Sequence, residues 1–236
     1  MKLLGAFTKH CISSIASSCL ICLGVANNAA AVSLTETVDA GGFLFNAGQS
    51  NTQVVGTTLD SINGNLTDTG TGNPDIDLYQ FQATGVTFTA STVGGTTIDT
   101  QLFLFNASGI GLFASDNADN FTFQSSISAN LTAGQIYYLG ISSFGSTPQS
   151  SGGEIFNIPA FGQTAANGAG AAAALNSWSS NPVPEFGSYN ITVSGAQFVG
   201  STANAAAVPF DFNPTFGVTI LGVWAGLKYL KNRKKG

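Results

Sequence analysis

The chain has 236 residues, of which 44% are apolar and only 8% charged, with a formal net charge of −5. All seven Lys and Arg residues lie at its two ends, Lys2 and Lys9 at the start and Lys228, Lys231, Arg233, Lys234 and Lys235 at the finish, and the single histidine, His10, sits beside Lys9. The stretch from Val32 to Ala207 holds eleven carboxylates and no base; this excludes binding to nucleic acid phosphates, Ser-His-Asp and lysine chemistry, and imidazole zinc sites.

In chain order, the first element is a secretory signal over residues 1–31. Lys2 and Lys9 form its basic start, Cys11 to Val25 its apolar run, and Ala29-Ala30-Ala31 a small-residue cleavage pattern that cuts before Val32. An uncleaved anchor is disfavoured because the run is shorter than a membrane span and carries serines. Lipid attachment at Cys19 is the weaker alternative, since Ala16 replaces the usual larger aliphatic residue. All three cysteines fall inside this segment, so the exported chain has no thiol and no disulfide.

Residues 32–200 read as one all-β domain, because Gly, Ser, Thr and Asn punctuate short apolar runs. Strands are expected at Asp60 to Leu66, Asp77 to Gln82, Val86 to Thr92, Leu102 to Phe105, Ile110 to Ala114, Phe121 to Ile127, Gln135 to Ser142 and Tyr189 to Ser194. Leu102-Phe103-Leu104-Phe105 is apolar on both faces, which places it in the middle of a sheet covered on each side. Asn106-Ala107-Ser108-Gly109 turns it into the next strand, with Gly109 free to take positive φ. Tyr189, Ile191 and Val193 alternate with polar neighbours, as in a half-buried strand. Residues 145–187 form a Gly/Ala/Ser/Pro-rich insertion, read as a flexible surface loop or a binding patch. Residues 201–207 are a linker.

The final element, 208–236, is an apolar helix from Pro214 to Leu230 followed by a basic tail. Asn213 caps it, Pro214 takes the first helical position, and Lys228 snorkels at the far end. Val208-Pro209-Phe210-Asp211-Phe212-Asn213-Pro214, with this helix and tail, resembles the cyanobacterial variant of the PEP-CTERM sorting signal. That resemblance implies an exosortase-like processing enzyme as partner and a membrane contact through the C-terminal helix. Asp211 stands where the pattern usually has Glu.

A second resemblance rests on Asp75-Ile76-Asp77-Leu78-Tyr79-Gln80-Phe81, Asp99-Thr100-Gln101-Leu102-Phe103-Leu104-Phe105, Ser115-Asp116-Asn117, Leu131 to Ile141 and Gly187 to Val193. Together these look like the bacterial pre-peptidase C-terminal domain, over roughly Thr57 to Ser194. The resemblance implies a jelly-roll-like β-sandwich with a non-catalytic accessory role, often attachment to matrix or polysaccharide.

No catalytic residues are identified. Carboxylate chemistry alone survives the missing bases, and a loop-rich chain of this size offers little from which to build a glycosidase cleft. Asp75, Asp77, Asp99, Asp116 and Asp119 are candidate calcium ligands, set against the plainer reading that they cap turns and strand ends. Phe161 and Trp178 are candidate sugar-stacking residues, set against a core role. Five N-glycosylation sequons, beginning at Asn65, Asn106, Asn120, Asn130 and Asn190, are frequent in a composition this rich in Asn, Ser and Thr. The expectation is an exported, sorted surface or matrix protein with a structural or adhesive role. The alternative is a carbohydrate-binding module.

Overall fold

The computed structural model describes residues 31–48, 56–67, 75–179 and 184–199. Residues 1–30 of the signal segment, with Ala29, and the sorting segment, with Val208 to Pro214, lie outside the described residues. Among the described residues no helix is long and apolar enough to cross a membrane. The described chain is all-β, as the residue pattern predicts.

Its strands are β1 (Val32–Thr35), β2 (Thr58–Leu66), β3 (Ile76–Ala83), β4 (Thr87–Ser91), β5 (Thr100–Asn106), β6 (Gly111–Ser115), β7 (Ser126–Asn130), β8 (Ile136–Ser143), β9 (Pro148–Ser150), β10 (Gly153–Glu154), β11 (Gln163–Ala165), β12 (Leu175–Trp178) and β13 (Gly187–Gln197). Ten of them form one sheet in the order β1-β2-β13-β3-β8-β5-β6-β11, with β4 bridging β13 and β7, while β10-β9-β12 form a separate small sheet. Among the described strands only β1 and β2 pair in parallel.

β13 joins the two halves of the large sheet. One edge pairs with β2 along its length, and the other pairs first with β4 through Thr192 to Ser194 and then with β3 through Ala196 and Gln197. The changeover occurs at Gly195, where φ is 73° and a Cβ would lie 2.7 Å from the Thr87 carbonyl oxygen. A side chain there is therefore opposed by both the backbone angle and the neighbouring strand. The strands together make a sandwich-like arrangement. Its main core takes Ile62 and Leu66 from β2, Phe88 from β4, Ile127 from β7 and Ile191 from β13, against Phe81 from β3, Leu102 and Leu104 from β5 and Leu139 from β8.

The opposite face of β5 builds a second core. Phe103 and Phe105 pack with Leu78, Ala114, Tyr138, Ile155, Phe156 and Leu175, with Trp178 at its margin. β5 lies between β8 and β6 and is covered on both faces, as its unbroken apolar run requires. Its turn also forms as read: Gly109 has φ 78°, and the Asn106 side-chain oxygen accepts from the backbone of Ser108 and Ile110 at 2.9 and 3.0 Å.

The cover over the second core comes from the 145–187 insertion. Instead of one long loop, it carries β9 to β12, with β11 pairing onto β6 and the other three forming the small sheet. Glycine and alanine dominate its composition, but Ile155, Phe156, Leu175 and Trp178 are apolar anchors separated by turns, a spacing that no strand or helix period marks. A second difference lies at 121–127. The β strand there starts only at Ser126, while Phe121 and Phe123 stay 90% and 67% exposed in a turn. Asp119 caps that turn by accepting from the Phe121 N–H at 2.8 Å, and this local bond outcompetes the extended backbone that the phenylalanines favour.

These contacts make the insertion part of the fold. Phe156→Ala is expected to lower stability by about 3–5 kcal/mol, the cost of emptying a buried aromatic site, as measured by urea denaturation. A change within about 0.5 kcal/mol, the surface-substitution range, would mean that the arm does not bury its anchors.

Candidate functional site

Most of the described carboxylates gather in two places. The first is built where the segment after β1 meets the end of β2 and the start of β3. One oxygen from each of Glu36, Asp39 and Asp77 lies within 4.8 Å of the others, beside a cavity of about 300 Å³ bordered by Asp39, Gly48 and Tyr79. Glu36 is already engaged: its two oxygens accept from the backbone of Ala40 at 2.7 Å and Asn65 at 2.9 Å. Asp75, close by, accepts from the backbone and hydroxyl of Thr67 at 2.5 and 2.7 Å.

Asp77 is fully buried. The Tyr189 hydroxyl donates to its Oδ2 at 2.5 Å and lies 2.6 Å from the Tyr79 hydroxyl, giving a buried chain Tyr79–Tyr189–Asp77. A Cβ at Gly64 would sit 2.2 Å from the Tyr189 hydroxyl, so glycine there leaves the chain its space. The other oxygen of Asp77, Oδ1, has no hydrogen-bond partner in the protein. Burial pushes the Asp77 carboxyl up to about 9, opposed by the Tyr189 hydrogen bond and reinforced by Glu36, Asp75 and Asp39. Asp77 therefore holds a proton at neutral pH. Burial, then Asp75, also raises Asp39, and burial raises both tyrosines.

The second cluster lies at the start of β5. Burial, then the charges of Asp116 and Glu185, pushes Asp99 up to about 6. Burial also pushes Asp116 up to about 6, against a hydrogen bond from Gln101. The backbone N–H of Asp99 donates to Glu185 at 2.8 Å. Ser125 clamps the ends of both strands, its hydroxyl shared between the carbonyls of Thr100 and Asp116.

The five candidate calcium aspartates thus divide. Asp75 and Asp77 join Glu36 and Asp39, Asp99 and Asp116 form the second group, and Asp119 stands apart as a turn cap. Glu36 and Asp39 escape sequence reading because they come from a segment roughly forty residues upstream, brought in by the parallel β1–β2 pairing. The aromatic candidates also separate. Phe161 is 59% exposed, whereas Trp178 is half-buried, edge-on to Phe103 and Phe105 at 5.3 and 6.3 Å. Its indole N–H donates to the Gly42 carbonyl at 2.7 Å. Of the signal-cleavage residues, Ala31 is exposed and Val32 opens β1.

Compared with known proteins, the sequence matches no protein family and no curated protein.

The proton on Asp77 has a consequence for stability. Its folded value lies above its unfolded one, so the native state binds an extra proton between about pH 4 and pH 9, and stability falls as pH rises through that window by up to about 1.4 kcal/mol per pH unit. Asp77→Asn keeps an acceptor for Tyr189 without the charge. Thermal melts from pH 6.5 to 9 are expected to fall steeply for the wild type and to be flatter for the variant, which melts higher at pH 8. Equal slopes would place the proton elsewhere.

Proposed function

We propose that this chain is an exported surface or extracellular-matrix protein with a structural or adhesive role and no catalysis, sorted by an exosortase-like system. The observation that carries the reading is the segregation of charge: every base lies outside residues 11–227, while the intervening stretch is acidic. Basic ends are retained on the cytoplasmic side of a bacterial membrane, and the neutral or acidic stretch between them crosses it. A cut before Val32 also leaves β1 whole, so removal of the signal costs the domain nothing. In this reading the sandwich-like fold is a jelly-roll-like pre-peptidase C-terminal type domain, and its hydroxyl- and amide-rich strands form the contact surface.

A carbohydrate-binding role is the second reading. Phe161, exposed on the arm, favours it as a stacking surface; Trp178 supports it less, because its N–H and its edges are already engaged.

Mass spectrometry of the termini, on protein recovered separately from membrane and extracellular fractions of the native host, tests the sorting reading. A chain beginning at Val32 and ending near Pro209 to Asp211 is the expected product. An intact chain that keeps Lys228 to Gly236 in the membrane would overturn it in favour of a permanent anchor. Saturable binding to envelope polysaccharide, lost in Phe161→Ala, would move the assignment to the binding module.

A further inference from the structure

Four exposed phenylalanines lie on loops that meet at one end of the sandwich. β5 begins there, while β6 and β8, both antiparallel to it, end there, since Leu102 pairs with Ser115 and Thr100 with Ser143. The segment leading into β7 joins them, because the Thr100 N–H donates to the Phe123 carbonyl at 3.0 Å. So does the start of β13: Glu185 accepts from the Asp99 N–H at 2.8 Å, and the Ser188 carbonyl accepts from the Thr96 hydroxyl at 2.9 Å. The arm reaches the same place, with the Gly162 N–H donating to the Asn117 carbonyl at 2.7 Å and the Asn117 amide to the Ala160 carbonyl at 2.8 Å.

On these loops Phe121, Phe123, Phe161 and Phe186 are 90%, 67%, 59% and 41% exposed. At about 150–250 Å² per aromatic side chain, they leave roughly 500 Å² of ring surface in water. That equals the largest apolar patch of a typical monomer, which is often functional. The turn that carries Phe121 and Phe123 is fixed by its own bonds, Phe121 N–H to Asp119 at 2.8 Å and Gln124 N–H to the Thr122 hydroxyl at 3.1 Å. Val32 and Gln197 pair with Leu59 and Thr58 at the start of β2, whereas Gly187 pairs with Leu66 at its end. The chain therefore enters and leaves the domain at the opposite end, and a partner can approach the phenylalanines without meeting either flanking segment.

The surroundings of this aromatic end are acidic. Asp119 and Glu185 are exposed close to Phe121 and Phe186 in the chain, Asp99 is half-buried beside Glu185, and residues 11–227 hold no base to offset them. Such a surface repels anionic lipid and attracts a cation. Arginine fits it best among cationic groups, because one guanidinium both lies over an aromatic face and pairs with a carboxylate through two hydrogen bonds. Phenylalanine has no hydroxyl or N–H with which to hold the hydroxyls of a sugar. Rings spread over three separate loops also suit a polypeptide that sets several side chains among them, with arginine and apolar groups as anchors.

We propose that this loop end is the adhesive face of the protein and that its partner is an arginine-rich polypeptide segment interspersed with apolar residues. Phe121, Phe123, Phe161 and Phe186 receive its apolar groups and guanidinium planes, and Asp119 and Glu185 receive its charge. The inference rests on the adhesive reading for the kind of partner but not on how the chain is sorted, so a failed binding test and unexpected terminal masses are separate results.

Biolayer interferometry on the full-length chain in non-ionic detergent, with a peptide of repeated Arg-Gly-Leu units as probe, tests the face directly. The expected result is saturable binding with a dissociation constant of about 1–100 μM at low salt, weakened several-fold in about 1 M NaCl, where ion pairs are screened. The Glu-Gly-Leu counterpart should not bind. Replacing both turn residues, Phe121→Ser with Phe123→Ser, should cost about ten-fold or more, and exposure of both rings keeps folding out of the result. Glu185→Gln retains an acceptor for the Asp99 N–H and removes the charge; it should weaken binding several-fold and reduce its salt dependence. Asp60→Asn and Val86→Ser, exposed at the opposite end, should change nothing. Absence of binding up to about 1 mM peptide, equal binding of the glutamate peptide, or binding lost only in Asp60→Asn or Val86→Ser would each overturn the proposal. Envelope polysaccharide or zwitterionic vesicles that bind where the arginine peptide does not, with the double phenylalanine variant abolishing it, would overturn it in favour of a sugar or lipid surface.

Discussion

Between His10 and Lys228 the chain contains no basic side chain, and so each carboxylate that folding takes out of water must be stabilised by something other than an ion pair. The remaining means are hydrogen bonds to the charged form, protonation, or a cation from solution. The fold uses the first two at different places. Glu36 and Asp75 each collect two donors, from backbone amides and the Thr67 hydroxyl. Asp77, enclosed completely and surrounded by other acids, keeps its proton and accepts from Tyr189. Asp99 and Asp116 each keep one oxygen without a hydrogen-bond partner in the protein, and burial raises both.

The same constraint shapes the rest of the structure. With no thiol outside residues 11–22 and no base between the ends, apolar packing and neutral hydrogen bonds hold the domain together. β5 is the hinge of that packing, because Leu102 and Leu104 enter one core while Phe103 and Phe105 enter the other. A strand loaded on both faces requires cover on both, and the arm from 145 onward provides the outer layer. Its two-residue and three-residue strands are too short to stand alone. They are fixed by Phe156, Leu175 and Trp178 docking on β5, and by β11 pairing onto the free edge of β6. That edge would otherwise present unpaired backbone groups.

The core strands were legible in the sequence where one face alternated or where both faces were apolar, as at Tyr189 to Val193 and Leu102 to Phe105. These patterns report burial directly, and burial is what tertiary structure preserves. Strands such as β9 to β12 left little trace because their few residues form only after the second core exists to receive them. Phe121 and Phe123 misled for the converse reason: their strand preference is real but weak, and a local Asp119 cap decides the backbone. For the site, the aspartates were visible as types but not as groups. Their division into two clusters is set by the register of β5 on β6 and by a parallel pairing that brings Glu36 beside Asp77, neither of which composition encodes.

The two acidic groups therefore differ in kind although they share a residue type. At the first, the ligand-capable oxygens are largely spoken for by backbone donors and tyrosine, and the proton on Asp77 relieves the repulsion among them. At the second, Gln101 and Asp116 from the sheet and Glu154 from the arm border one cavity, so its polar side chains belong to two layers of the fold, joined by the docking of the arm on β5 and by the pairing of β11 with β6.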